Sequence, residues 1–250
     1  MVIPVGDHNP TRRTPWVTWL LVAVNLAVFV FAEPWWADGC TQQAFFQRWA
    51  TIPAELAQGQ PLDARAAAAT TEGQCPVRTF SDKEVYASVL FGMFLHAGWL
   101  HLLGNMLYLW VFGNNVEDRF GHLRFLAFYL LTGAIATLAF AVPNASSLST
   151  LVGASGAIAG VLGSYLVLFP GARVTVLVPF LFFLPVRLPA LIVLGLWFLL
   201  QLGELRVASM AGGGIAYLAH VAGFVAGVGL TVALRGPGRP PRREAPAEWA

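Results

Sequence analysis

Charge is what this sequence has least of. Asp, Glu, Lys and Arg make up 11% of its 250 residues, where a water-soluble domain carries about 25%. That deficit excludes an ordinary water-facing surface. Lysine is almost missing, with Lys83 alone against 14 arginines, and the net charge is only +2. The arginines do not gather on one basic face, so no nucleic-acid partner is expected. There are two cysteines, Cys40 and Cys75, and no Cys-x-x-Cys, which argues against a thiolate metal site. The His-Glu-x-x-His pattern of zinc proteases is missing too. No metal and no cofactor is expected. No small-x-small cleavage site follows the first apolar run, Trp16–Phe31; Glu33-Pro34-Trp35-Trp36 follows instead. That run therefore reads as a retained membrane helix and not as a cleaved leader.

What the chain has in abundance is apolar surface: 57% hydrophobic residues, with 18 Phe and 9 Trp. Six apolar stretches approach the roughly 20 residues that a helix needs to cross a bilayer. They are Trp16–Phe31, Val89–Phe112, Phe125–Val142, Leu151–Phe169, Leu188–Leu202 and Gly213–Leu234. The expected fold is an all-α membrane protein, a six-helix bundle over 16–234. With the N-terminus in the cytoplasm, ten of the 15 Lys and Arg fall on the inner side, and four of the outer five lie in one long loop. This is the positive-inside bias, and six spans return the C-terminus to the cytoplasm. Residues 1–15 form a cytoplasmic segment, 33–88 an extracytoplasmic first loop, and 235–250 a disordered cytoplasmic tail rich in Pro and Arg. Within the loop, Ala44–Ala50 mixes bulky apolar and polar residues as a helix lying on the bilayer surface does.

Polar side chains in a membrane are costly and usually mark function. Under this topology the second, fourth and sixth stretches all run from outside to inside. His101 and Asn105 lie in the outer half of the second, Ser155 near the start of the fourth, and His220 about two turns into the sixth. At about 1.5 Å per residue, all fall at one shallow depth on one side. Ser155 sits between Gly153 and Gly156, where small neighbours let a substrate carbonyl approach, and a helix N-terminus there offers unpaired N–H donors. A serine hydroxyl needs a base, and His220 lies at the depth to serve. His101 and Asn105, four apart, share a helix face and suit a donor pair for an oxyanion. Gly156-x-x-x-Gly160 and Gly223-x-x-x-Gly227 let the fourth and sixth helices pack closely, which would bring Ser155 and His220 together.

Plainer readings exist for each residue alone. A membrane serine commonly bonds its own backbone, and a lone histidine or asparagine can simply tie helices together. His96 reads as a structural hydrogen-bonder. Gln201, Glu204 and Arg206 read as the outer boundary of the fifth span, and Glu117, Asp118 and Arg119 as the cap of a cytoplasmic turn. His8 and His122 carry no assigned role. The joint pattern raises the functional reading above these.

The stretches His96–Asn105, Gly113–Gly121, Gly153–Gly156 and Ala219–Gly227, in that order, resemble the rhomboid intramembrane serine proteases over most of 16–234. The resemblance implies a Ser155–His220 dyad with no aspartate, and an oxyanion hole formed by His101, Asn105 and the Ser155 N–H. It implies a water-accessible cavity open to the outer side, and membrane-spanning protein substrates cut near the outer end of their helix. The chain departs from the family pattern twice. Val85-Tyr86-Ala87-Ser88 stands where many members carry a Trp-Arg pair, and Ala159 stands where many place an aromatic on the catalytic histidine. His220 must therefore be oriented by other neighbours. The rival class is a non-proteolytic rhomboid-like chaperone or scaffold, whose members usually lack the Ser or the His. A small transporter would need charged or broken helices at mid-membrane. The arginine bias hints at a GC-rich genome and hence a bacterial plasma membrane; the sequence leaves the substrate and oligomeric state open.

The orientation also places Cys40 and Cys75 outside the cytoplasm, where disulfides persist. A bond between them closes a loop of about 36 residues, for which chain entropy suggests roughly 3–4 kcal/mol.

Overall fold

The computed structural model describes residues 3–71, 73–179, 182–211 and 217–235. The chain opens with a short strand β1 (Ile3–Asp7) and then enters helix α1 (Trp16–Ala27), which winds on as a wider π turn through Val28–Ala32. The first backbone N–H groups of a helix have no partner of their own. In α1 those of Val17 and Thr18 donate to the two oxygens of Glu117, at 2.9 and 2.7 Å. Glu117 is fully buried near the end of helix α6 (Trp99–Phe120). It therefore caps a different helix, a role beyond the turn cap expected of it, and its negative charge suits the positive end of the α1 dipole.

The first loop is folded. Helix α2 (Gly39–Trp49) covers Ala44–Trp49 of the stretch expected to be helical and leaves Ala50 extended, and α3 (Pro53–Gln58) and α4 (Ala64–Thr71) follow. Cys40 and Cys75 are joined by a disulfide, with Cα atoms 5.3 Å apart. The buried Lys83 pairs with buried Glu55 and donates to the carbonyl oxygens of Gln47 at 2.7 Å and Ala50 at 2.8 Å. Burial pushes the Lys83 ammonium below the usual lysine range, and Glu55 opposes that shift. Every donor of this lone lysine is thus spent on holding α2, α3 and the end of the loop together.

The second apolar stretch is not one helix over Val89–Phe112. A short helix α5 (Ser88–Phe91) and a 3-10 turn (Gly92–Phe94) meet α6 at a bend of 91°. The backbone is extended at Leu95, and the His96 N–H donates to the buried Glu33 carboxylate at 2.9 Å. Hydropathy could not register the break, because Val89–Phe94 is as apolar as the helix that follows. Helix α6 continues eight residues beyond the expected end at Phe112.

Helix α7 (His122–Ala141) leads to α8 (Ser155–Leu168), the centre of the bundle. Small residues make that position possible. A Cβ built on Gly223 would overlap the Gly156 carbonyl, one on Gly227 the Gly160 carbonyl, and one on Gly163 the Phe224 carbonyl. The two Gly-bearing faces of α8 and α10 (Tyr217–Arg235) do meet, backbone to backbone, as their spacing predicts. Lipid tails are as apolar as leucine, so this close van der Waals contact is what favours helix over lipid. Deeper in the same seam, the Thr231 hydroxyl donates to Ser164 Oγ at 2.9 Å.

The all-α expectation needs correction. Strands β2 (Arg173–Val178) and β3 (Leu184–Pro189) link α8 to α9 (Ala190–Ala211) and form an antiparallel sheet in the order β1-β2-β3. The alternation in Arg173–Val178 buries Val174, Val176 and Val178, as a half-buried strand requires. A six-residue strand between apolar helices was lost beneath the stronger helical hydropathy. The N-terminal segment 1–15 thus contributes a strand, anchored where Asp7 accepts from Asn115 Nδ2 at 2.6 Å and the Tyr165 hydroxyl at 2.7 Å. Burial raises the Asp7 carboxyl above the usual aspartate range.

Among the described residues, three helices are long and apolar enough to cross a membrane: α7, α9 and α10. The bent pair α5 and α6 makes a fourth if taken as one span. Trp16–Ala32 and Ser155–Leu168 are apolar but shorter. Of the expected sixth stretch, residues 213–216 lie outside the described residues, as does the expected tail beyond Arg235.

Candidate active site

Ser155 is the first residue of α8, after Ala154 in helical conformation. Gly153 just before it has φ +118°, a conformation that only glycine adopts freely. A Cβ there would also lie 2.9 Å from His101 Nε2 and 3.7 Å from Ser155 Oγ. Gly153 thus lets the chain turn into the helix and lets the His101 ring sit beside the serine. A cavity of about 10 Å³ adjoins Ser155, lined by Gly153, Gly156, Ala136, Thr137 and Ala219 among others. Such a volume is near the minimum that admits one water.

The Ser155 hydroxyl lies 2.7 Å from His220 Nε2. Both side chains are half-buried. The other ring nitrogen, Nδ1, lies 2.6 Å from Gln201 Oε1. Trp197 and Tyr217 flank the same imidazole, with ring centroids 6.2 and 6.3 Å away. Gln201, Trp197 and Tyr217 thus stand around the His220 ring, besides Ser155. Gln201, expected only to mark the end of the fifth span, is buried against protein. Its spacing of four from Trp197 puts both on one face of α9. That i, i+4 pair was the available signal.

His101 Nδ1 accepts a long hydrogen bond, 3.4 Å, from the Ala97 N–H. Asn105 is buried one turn further along α6, and its Nδ2 makes no hydrogen bond among the described residues. The His96 backbone is anchored by Glu33, and its buried ring packs against that of His101 at 5.2 Å. His8 Nε2 lies 2.9 Å from Thr175 Oγ1, and His122 Nδ1 lies 2.6 Å from Glu117 Oε1, both away from this cluster. Among the described residues no group of His, Cys, Asp and Glu could hold a metal ion.

Fold and cluster define a helical, multi-pass membrane protein with a serine at a helix N-terminus in hydrogen-bond reach of a histidine. Residues 83–237, more than half of the chain, match the Rhomboid domain, and the chain belongs to the rhomboid family. It is 28% identical over 170 residues to RHOMBOID-like protein 5 of Arabidopsis thaliana, covering 65% of this chain and 55% of that one. It is 47% identical over 75 residues to Rhomboid protease GluP of Bacillus subtilis (strain 168), covering 29% of this chain and 14% of that one. Rhomboid protein 1, mitochondrial, of Saccharomyces cerevisiae is 36% identical over 96 residues, covering 36% of this chain and 28% of that one. The chain spans about half the length of the first of these curated relatives and less of the others. With mitochondrial and bacterial relatives alike, a membrane location follows, but the bacterial plasma membrane expected from the arginine bias does not.

Proposed function

We propose that this protein is an intramembrane serine endopeptidase that hydrolyses peptide bonds of membrane-spanning proteins near the outer face. The observation that carries the reading is the 2.7 Å contact between Ser155 Oγ and His220 Nε2. Its immediate setting is the N-terminus of a central helix, where unpaired N–H groups point outward.

The chemistry is a two-step acyl transfer. His220 Nε2 takes the hydroxyl proton as Ser155 Oγ attacks the scissile carbonyl. The tetrahedral oxyanion accepts hydrogen bonds from the Ser155 N–H, His101 and Asn105. His101 suits the role because the Ala97 N–H points at its Nδ1, which leaves the Nε2–H beside Gly153 as donor. The protonated His220 passes its proton to the leaving amine as the C–N bond breaks, and water, deprotonated by the same histidine, then attacks the acyl ester, which frees the carboxylate product and returns the proton to Ser155 Oγ. No cofactor enters.

The six-span topology with both termini in the cytoplasm belongs to the same proposal. At 14 residues, α8 is roughly 21 Å long, against a hydrocarbon core of about 30 Å. With its C-terminal end at the inner surface, Ser155 stands below the outer one, enclosed by longer helices. Water must then reach the serine through a depression on the outer side, and a substrate helix must unwind there to present its backbone.

The test uses purified protein in proteoliposomes with a reporter single-span substrate. Ser155→Ala and His220→Ala are expected to abolish cleavage while leaving insertion and folding intact. Cleavage by Ser155→Ala at more than a few per cent of the parent rate refutes the assignment. A folded parent that neither cleaves nor reacts with a serine-directed probe identifies the non-proteolytic scaffold instead.

A further inference from the structure

A serine–histidine pair without a third member leaves one question of physical chemistry open. Neutral imidazole has two tautomers, and only the one with hydrogen on Nδ1 leaves Nε2 free to accept from serine. In triads a buried carboxylate on Nδ1 makes that choice and holds the ring. Among the described residues, no carboxylate contacts the His220 ring. What stands at its Nδ1 is the Gln201 side chain, with Oε1 at 2.6 Å.

We propose that Gln201 is the positioning residue of the Ser155–His220 pair: its side-chain oxygen accepts the Nδ1–H and locks the base in the tautomer that faces the serine. The inference rests on the dyad reading above. The orientation of the amide follows from chemistry. If Nε2 accepts from the serine hydroxyl, Nδ1 carries the hydrogen, and only the oxygen of the amide can meet it. The geometry around the contact is built for one orientation. Gln201 is buried near the middle of α9, while Trp197, one turn earlier on the same face, is tilted against the imidazole at 6.2 Å. Tyr217 approaches from α10 itself at 81° to the ring plane. The ring is thus bounded by two aromatics, and its one remaining polar edge is met by a single acceptor.

A neutral acceptor also fits the surroundings. A carboxylate in an apolar bundle must be desolvated and is costly unless paired. An amide carries the same acceptor oxygen without that burden. The trade is a weaker hold on the imidazolium formed in the transition state, since no full charge opposes it.

The hydrogen bond strengthens as the ring becomes charged, so its loss falls on turnover more than on substrate binding. Gln201→Met keeps the volume and removes the acceptor. It is expected to lower kcat on the order of 10–10²-fold, the worth of a hydrogen bond to a charged group, with KM nearly unchanged. Labelling of Ser155 by a fluorophosphonate probe, counted per folded molecule, should slow in parallel, because the probe reads nucleophile activation without a transmembrane substrate. Gln201→Glu restores the acceptor oxygen and should recover most of the lost turnover. Gln201→Asn, one methylene short, should not. Parental kcat and labelling rate in Gln201→Met, alongside an inactive Ser155→Ala, overturn the positioning role and leave the dyad standing. A fall in Gln201→Met that Gln201→Glu does not reverse also overturns it, because that pattern marks simple packing. Cleavage by Ser155→Ala overturns the dyad itself and is separable from both.

Discussion

Replacing Gly227 by alanine tests how the site is held together. The new Cβ would point at the Gly160 carbonyl oxygen on the facing helix, and the nearest atoms are all Gly160 backbone, with no flexible side chain to swing aside. An ordinary carbon–oxygen contact is about 3.3–3.6 Å, so α8 and α10 must part by well over 1 Å at that level. Forcing a methyl group into a packed seam costs typically 1–3 kcal/mol. Ser155 and His220 lie on the same two helices, nearer their N-terminal ends. Their 2.7 Å separation would stretch beyond good hydrogen-bond range if the helices move as rigid bodies. A misplacement of about 1 Å can cost on the order of 10² in rate. Gly229 supplies the control. It lies on the same helix two residues further on, and a Cβ there meets nothing within 4 Å. Gly229→Ala should be neutral or slightly stabilising, since alanine favours helix by roughly 1 kcal/mol over glycine. The assay is thermal unfolding in detergent together with cleavage of a single-span reporter. Gly227→Ala matching Gly229→Ala in both would refute the claim that backbone contact across this seam sets the catalytic distance.

Two further outcomes are expected. His101→Ala and Asn105→Ala should each lower kcat, on the order of 10²–10³ per donor with the backbone N–H softening one of them; a rise in KM alone in steady-state kinetics would make them substrate contacts. Protein purified without reductant and then denatured should titrate no free thiol, and Cys40→Ser with Cys75→Ser should lose roughly 3–4 kcal/mol of loop stability, seen as earlier proteolysis within residues 33–88, while activity per folded molecule persists.

Much of this molecule was readable along the chain because bilayers impose a one-dimensional rule. Apolar length marks helices whatever they pack against, so the stretches at 125–142 and 188–202 meet α7 and α9, with ends that shift by a few residues except at the C-terminus of α9, which runs on to Ala211. The Gly-x-x-x-Gly spacings on α8 and α10 likewise carry their meaning locally, since small residues at that period permit one kind of contact. The expected shared depth of His101, Asn105, Ser155 and His220 rested on helix rise together with the assigned orientation and the helix ends read from hydropathy.

Tertiary structure decided what depends on direction and on distant partners. At the bend of 91° between α5 and α6, the His96 N–H meets the carboxylate of a buried Glu33 more than sixty residues away, and hydropathy averages over such a break. Strand β1 was hidden because its pairing joins residues 3–7 to 173–178, a register that no local window contains, and the local β2–β3 pair over 173–189 was lost between strongly apolar helices. Glu117 looked like a turn residue until α1 was seen to begin on its carboxylate. Gln201 was the most consequential case. A polar residue near the end of an apolar run belongs equally to an interface or to a site, and only the packing of α9 against α10 put its oxygen on the His220 ring.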